Sequence, residues 1–434
     1  MFSWFKSFQT SEPTTIQHKF GRFISEKKTS EQQEQYQKSK KAFKEQRYLD
    51  GYEHYFNYLN FQSMKNVSYT KQDNSLDFQI IQGAAIIKGS ITARHLKAST
   101  NIAYTVKNNI AVMRRLLEKN YMYTYSTYYL EDDTLRAKIY CDNISLSPQK
   151  IFFPLRELAI NIDKEKELLL DEFNDLEGIE LEHIETMDAH LKETKLRFFR
   201  EWIDKTEQNI ALMPTQEQSG AIAFVWLGLL LKIDYFVTPR GKLGYDIYEA
   251  ISEYYLDDNK LVEEKNDALE KAVIKLKEIE SSKLSKSLYE VKQTFDIFNT
   301  NTLDEVHNFI NETLAKAVWY KEHRYEEIML SIYEYLGLYI LYNFDMNSCL
   351  RELVQLNVRS HNTDLHAALG YDSLYADEKL NKVKVNGLIK NIINKNTKQY
   401  PHLLHFEEEL NYDSLEKFHH SYFLALNNLN FSEL

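Results

Sequence analysis

At 434 residues the chain is long enough for two or three domains, each with its own core. A hydrophobic content of 43% fits a globular protein, and 12 glycines with 6 prolines favour long helices over tight turns. A net charge of −11 opposes nucleic-acid binding, which is driven by basic residues that release counterions from phosphate.

The N-terminal MFSWFKSF carries aromatic residues but no continuous apolar stretch, so it is not expected to be a signal peptide. Residues 1–32 read as a polar arm. Residues 33–60 read as one helix, with Tyr48, Tyr52, Tyr55, Phe56 and Leu59 on one face. Residues 66–106 read as four strands. Leu76, Phe78 and Ile80 alternate in the second, and Asp73-Asn74-Ser75 signals the turn before it.

Residues 108–165 are the most legible stretch. Ile110, Val112, Met113, Leu116 and Leu117 fall within one helical arc, with Arg114, Arg115, Glu118 and Lys119 opposite. Tyr121 to Leu130 is β-branched and aromatic, which suits a strand. Glu131-Asp132-Asp133 supplies a turn, because short acidic side chains bond their own backbone. Leu135, Ala137, Ile139 and Cys141 alternate with polar neighbours, the pattern of a strand on a core. Ser147-Pro148 starts a helix, with proline at the first helical position. Pro154 predicts a kink, or a start near 154.

A domain boundary is expected near 175–187, inside an acidic run. Beyond it the pattern is helical almost to the end, with segments near 191–213, 216–237, 244–256, 260–283, 285–297, 303–320, 325–342, 346–358, 375–395 and 413–426. The apolar run AIAFVWLGLLL (221–231) is too short to span a bilayer and reads as a buried helix. The predicted fold is α+β: an antiparallel sheet flanked by helices over 33–175, followed by an all-helical bundle over 176–434.

Candidate chemistry is sparse. His402 and His405 are three apart and could share a helical face, but the spacing is not HExxH and no third ligand is placed. His361 with His366, and adjacent His419-His420, are weaker metal candidates. Asp132 and Asp133 sit at a hairpin tip, where solvent keeps carboxylates ordinary and a turn role is favoured. Glu167, Asp171, Glu172, Asp175, Glu177 and Glu180 form an acidic run, read as a solvated face over a site for a basic partner. No phosphate loop, dinucleotide fingerprint, nucleophile elbow or kinase set is present. No catalytic, cofactor or metal residue is therefore assigned, and no cofactor is expected. Cys141 and Cys349 imply no disulfide framework, which fits a reducing, cytoplasmic compartment. Tyrosine (30) and phenylalanine (24) are abundant. An AT-rich genome accounts for that bias, although tyrosine also suits protein interfaces.

VMRRLLEKNY, a strand ending in YLEDD, then LRAKIYC and a helix carrying LRELA resemble the YbjN-type domain, which is similar in fold to the type III secretion chaperones. The resemblance covers roughly 110–165 and extends back towards 33. Pro154 departs from the uninterrupted helix of that pattern. The whole chain also resembles a protein type of Bacteroidetes-like bacteria, a likeness that implies no function. The domain resemblance implies a small α+β unit that dimerises or holds a partner protein, without enzyme activity. The leading expectation is a cytoplasmic, chaperone-like protein with Tyr121, Tyr123 and Tyr125 as candidate partner-binding residues. The alternatives are a self-assembling scaffold of a secretion or defence complex, and an enzyme with its site between the two domains. Expected partners are a protein or a second copy, without nucleic acid and without a membrane span.

Overall fold

The computed structural model describes residues 18–21, 28–105, 109–213, 219–257, 259–296, 302–323, 325–403 and 406–431. It is α+β, with an antiparallel sheet first and many helices after it.

The front begins with two helices, α1 (Ser30–Lys44) and α2 (Tyr48–Leu59), where one was expected. The break falls at Gln46, whose φ of 58° ends a right-handed helix. Neither glycine nor proline marks that break in the sequence. Thr29 caps α1 in a capping box with Gln32.

Strands β1 (Val67–Lys71), β2 (Ser75–Gln82), β3 (Ala85–Thr92) and β4 (His95–Thr105) form a meander. Helix α3 (Ile110–Met122) follows, then β5 (Thr127–Glu131) and β6 (Thr134–Asp142). The long helix α4 (Pro148–Glu172) and the short β7 (Leu176–Gly178) complete the unit. Strand order is β1-β2-β3-β4-β6-β5, and β7 pairs with the end of β4. The β5–β6 hairpin turns on Asp132 and Asp133 alone, both with positive φ, as a two-residue primed turn requires. Ser147 caps α4 through Lys150 N–H, and the helix runs on through Pro154, so a start near 154 is corrected. Pro154 lies early in α4, where packing of Leu155, Leu158 and Ile162 on the sheet offsets one missing backbone bond.

Alternation sends Leu76, Phe78, Ile80, Ile87, Leu96, Ala137 and Ile139 to one side of the sheet, where α2 and α4 cover them. Gly83 is obligatory at the β2–β3 turn. Its φ is 56°, and a Cβ there would sit 1.9 Å from Asp163 Oδ1.

The back is built from α5 (Ala189–Ala211), α6 (Ser219–Lys232), α7 (Gly241–Leu256), α8 (Val262–Lys277), α9 (Ser281–Lys286), α10 (Leu303–Glu322), α11 (Met329–Asn343), α12 (Ser348–His361), α13 (Thr363–Ala368), α14 (Lys382–Asn396) and α15 (Leu415–Asn427). It is not purely helical. A small ladder joins β8 (Glu185–Thr186) to β9 (Tyr289–Glu290). A hairpin joins β10 (Tyr375–Ala376) to β11 (Lys379–Leu380), where helix was expected from 375. Helix α6 is central, apolar all round, and packs against α5, α8 and α11. With the π-type turn Ile233–Val237 it is long and apolar enough to cross a membrane, unlike the run 221–231 alone. Of that window, 72% is buried inside the protein.

Two hydrophobic cores result, one from Phe43 to Leu176 and one from Met187 to Leu429. Among the described residues, segments of each half also pack on the other. His18 to Gly21 lies on the helical body, with Gly21 N–H donating to Tyr235 O at 2.7 Å and Phe20 edge-on to Phe236 at 5.1 Å. β7 joins the sheet. Residues 291–296, expected to be helical, are irregular with a bend at Phe295, and Phe295 lies in the sheet's core. Gln82 fixes that segment by accepting from the N–H groups of Thr294 and Phe295, both at 2.9 Å.

Candidate interaction surface

Helix α3 presents the clearest anomaly. Of the five apolar residues placed on its inner arc by spacing, the fold buries only Val112 and Leu116. The cause is electrostatic. Glu165 on α4 is buried and receives Arg115 at 3.0 Å and Lys119 at 3.1 Å, while Arg115 also reaches Glu172 at 2.6 Å. A buried carboxylate needs such partners. Pulling Arg115 and Lys119 inward rotates Ile110, Leu117 and Tyr121 to the outside at one-face spacing. They are 82%, 65% and 97% exposed. Two of the four residues expected on the charged side, Arg115 and Lys119, thus face protein, while Arg114 and Glu118 stay in solvent and Ile110 and Leu117 of the apolar arc face out.

The three tyrosines do not share a strand face. Tyr121 lies in the last turn of α3, and Tyr123 and Tyr125 lie in the loop before β5. That loop cannot pair as a strand, because Glu157 takes the N–H groups of Thr124, Tyr125 and Ser126 at 2.8–3.0 Å. Tyr123 is half-buried against Tyr128, 5.7 Å between rings, whereas Tyr125 is exposed. Burial, only partly offset by Tyr128, pushes the Tyr123 hydroxyl up to about 12. The outer strand β5 is also blunted. Asn120 donates to Tyr128 O and accepts from Tyr128 N–H, at 3.2 and 2.7 Å, in place of a further strand.

The far side of the sheet forms a shallow depression of about 840 Å3. Lys138 lies over Tyr129 and Lys97 over Tyr140, while Lys88 pairs with Glu180 at 2.6 Å.

The junction of the two halves is closed by a buried ionic cluster. Arg240 reaches Asp163 at 3.2 Å and Glu167 at 2.9 Å. Asp163 also accepts from Ala84 N–H at 2.7 Å. Glu167 accepts from Gly241 N–H at 2.9 Å and from the Tyr289 hydroxyl at 2.8 Å. Two carboxylates share one guanidinium out of water. Burial, against Arg240 and with the neighbouring Glu167, therefore pushes Asp163 up to about 7. The cluster's oxygens are taken by the chain's own donors.

The acidic run is mostly engaged rather than solvated. Glu167, Glu172 and Glu180 form the ion pairs above, and Asp175 accepts from Asn109 at 2.9 Å. Sequence reasoning missed Glu165, the residue that orients α3, because nothing local marks it as buried.

Of the histidine pairs, His402 lies in a turn rather than a helix, and His405 lies outside the described residues. His361 instead stacks on His419, 3.7 Å between centroids. Burial holds His361 down at about 3 and His366 at about 4, and keeps His419 far below the usual imidazole range. Among the described residues no group of three or more His, Cys, Asp or Glu is placed to hold a metal ion. Cys141 is half-buried and Cys349 buried, and both are free thiols.

The chain matches no family model and no curated protein sequence.

Proposed function

We propose that this is a non-enzymatic, chaperone-like protein that binds another protein through the outward face of α3. The observation that carries the reading is the stripe of Ile110, Leu117 and Tyr121, with Met122 beside it at 73% exposure. Contiguous exposed apolar surface marks interaction sites. A helix held rigidly by buried ion pairs loses little further freedom when a partner docks. The blunted edge at β5 favours helix-on-helix docking over strand addition. The resemblance of 110–165 to YbjN-type and secretion-chaperone domains points the same way, and a cytoplasmic location goes with it.

The test is a photo-crosslinking residue at Leu117 in cells making the full chain, with the exposed Leu256 as control. A discrete adduct at Leu117 and none at Leu256 supports the reading. An adduct of twice the chain's mass assigns the face to self-association, the scaffold alternative; any other mass indicates a distinct partner. No adduct at Leu117 or Tyr121 sinks it.

A further inference from the structure

Between α7 and α8 runs a groove of about 550 Å3, inside the range of about 300–1,000 Å3 typical of small-ligand sites. Its floor is hydrocarbon: Leu230 from α6, Leu243 and Ile247 from α7, Leu276 from α8. Ala250 and Ala272 stand half-buried on facing walls, where larger side chains would fill the space. The space is thus a product of residue size.

The rim has a sign. Lys271, Lys275 and Lys283 line it, and none has a carboxylate partner among the described residues. The facing wall carries three acids, against six lysines around the groove, and one of the three is ion-paired. Asp246 holds Lys242 at 2.8 Å; Glu249 accepts from the Tyr245 hydroxyl and keeps its charge, as does Glu253 towards the C-terminal end of α7. Unpaired lysines gathered on one apolar groove, in a chain of net charge −11, call for an anion joined to a hydrocarbon. The floor alone would accept any oily chain; the lysines select the charged end, because hydrogen bonds between ionised partners are the stronger kind.

We propose that the α7–α8 groove binds a single-chain anionic amphiphile, a long-chain carboxylate. Its tail lies along Leu243, Ile247, Ala272 and Leu276, and its head meets Lys275 and Lys283. The site is separate from α3 and stands or falls without it.

Calorimetric titration of the full chain with dodecanoate, below its micellar concentration, tests this, with dodecyltrimethylammonium and dodecanol as comparisons. Dodecanoate is expected to bind saturably, one per chain, and the cation at least about tenfold more weakly. Lys275→Glu with Lys283→Glu lowers dodecanoate affinity by about tenfold or more and leaves dodecanol unchanged. Ala272→Trp, which fills the groove, removes both. A diazirine-bearing carboxylate provides a readout on the unaltered protein, with adducts expected in 243–254 and 265–279. The proposal is overturned by non-saturable binding, equal affinity for the cation, indifference to Ala272→Trp, or adducts elsewhere. It is equally overturned if an acidic amphipathic peptide occupies the groove while dodecanoate does not.

Discussion

Helices α3 and α6 are both rich in apolar residues, yet the protein treats them oppositely. α6 is enclosed by α5, α8 and α11 and shows almost nothing to solvent. α3 sits at the margin of the sheet with its apolar stripe outward, because Glu165 claims its two inner cations. Hydrophobicity alone does not decide burial. One buried carboxylate can set which side of a helix faces in, since leaving it unpaired costs more than exposing a leucine. The two halves differ in the same manner. The helical body closes on an apolar interior, whereas the sheet unit is closed in part by charges and by residues borrowed from the body.

That difference can be broken most severely at Arg240. Arg240→Met strands Asp163 and Glu167 as buried carboxylates, with an expected loss of about 3–5 kcal/mol. Urea unfolding is expected to split into two transitions as the halves part; a single unshifted transition would show that the ionic cluster does not join them. Phe295→Ala comes next, near the lower end of about 3–5 kcal/mol. Hydrogen exchange should then rise in β2 and β3 rather than in the neighbouring helices of the body, although residue 295 follows α9 in the chain.

Acidity sharpens the contrast, because the two regions respond with opposite sign. His361, His366 and His419 are buried neutral, so the folded body binds fewer protons than the unfolded chain below pH 6.5. Its stability falls as pH drops, by about 1 kcal/mol per histidine at pH 5.5. Asp163 holds its proton up to about pH 7 in the fold, so between the usual carboxylate range and that value the folded state binds more protons. Its contribution is greatest at low pH and is lost as pH rises through about 7. Exchange measured at pH 7.5 and 5.5 should show the α12–α15 region loosening while the seam around Ala84 tightens; a uniform change in both refutes the assignment. The smallest effect is expected at Asp133→Gly, which relieves a positive φ and raises stability by up to about 1 kcal/mol, read as a higher Tm.

Much of this was legible. The four front strands, the Asp132-Asp133 turn, the start at Ser147-Pro148 and most later helices follow from period and punctuation, which are local. What escaped reading depends on partners distant in sequence. Nothing near Arg115 says that Glu165 will be buried beneath it. Residues 291–296 have helical company, yet Gln82 and Asn66 hold them out of a helix through hydrogen bonds from the other half of the chain. Tyr121, Tyr123 and Tyr125 alternate like a strand, but Glu157 has already claimed the backbone donors of Thr124, Tyr125 and Ser126. The groove between α7 and α8 was invisible, since alanines in a helix look like propensity rather than space.

The placement of Phe295 bears on how the protein is made. A chain leaving the ribosome completes its last sheet strand at β7, but the piece that seals that sheet emerges only after α5 to α9. The front half must wait, collapsed but unsealed, while much of the back half is synthesised. Its final closure and the docking of the two halves are then one event.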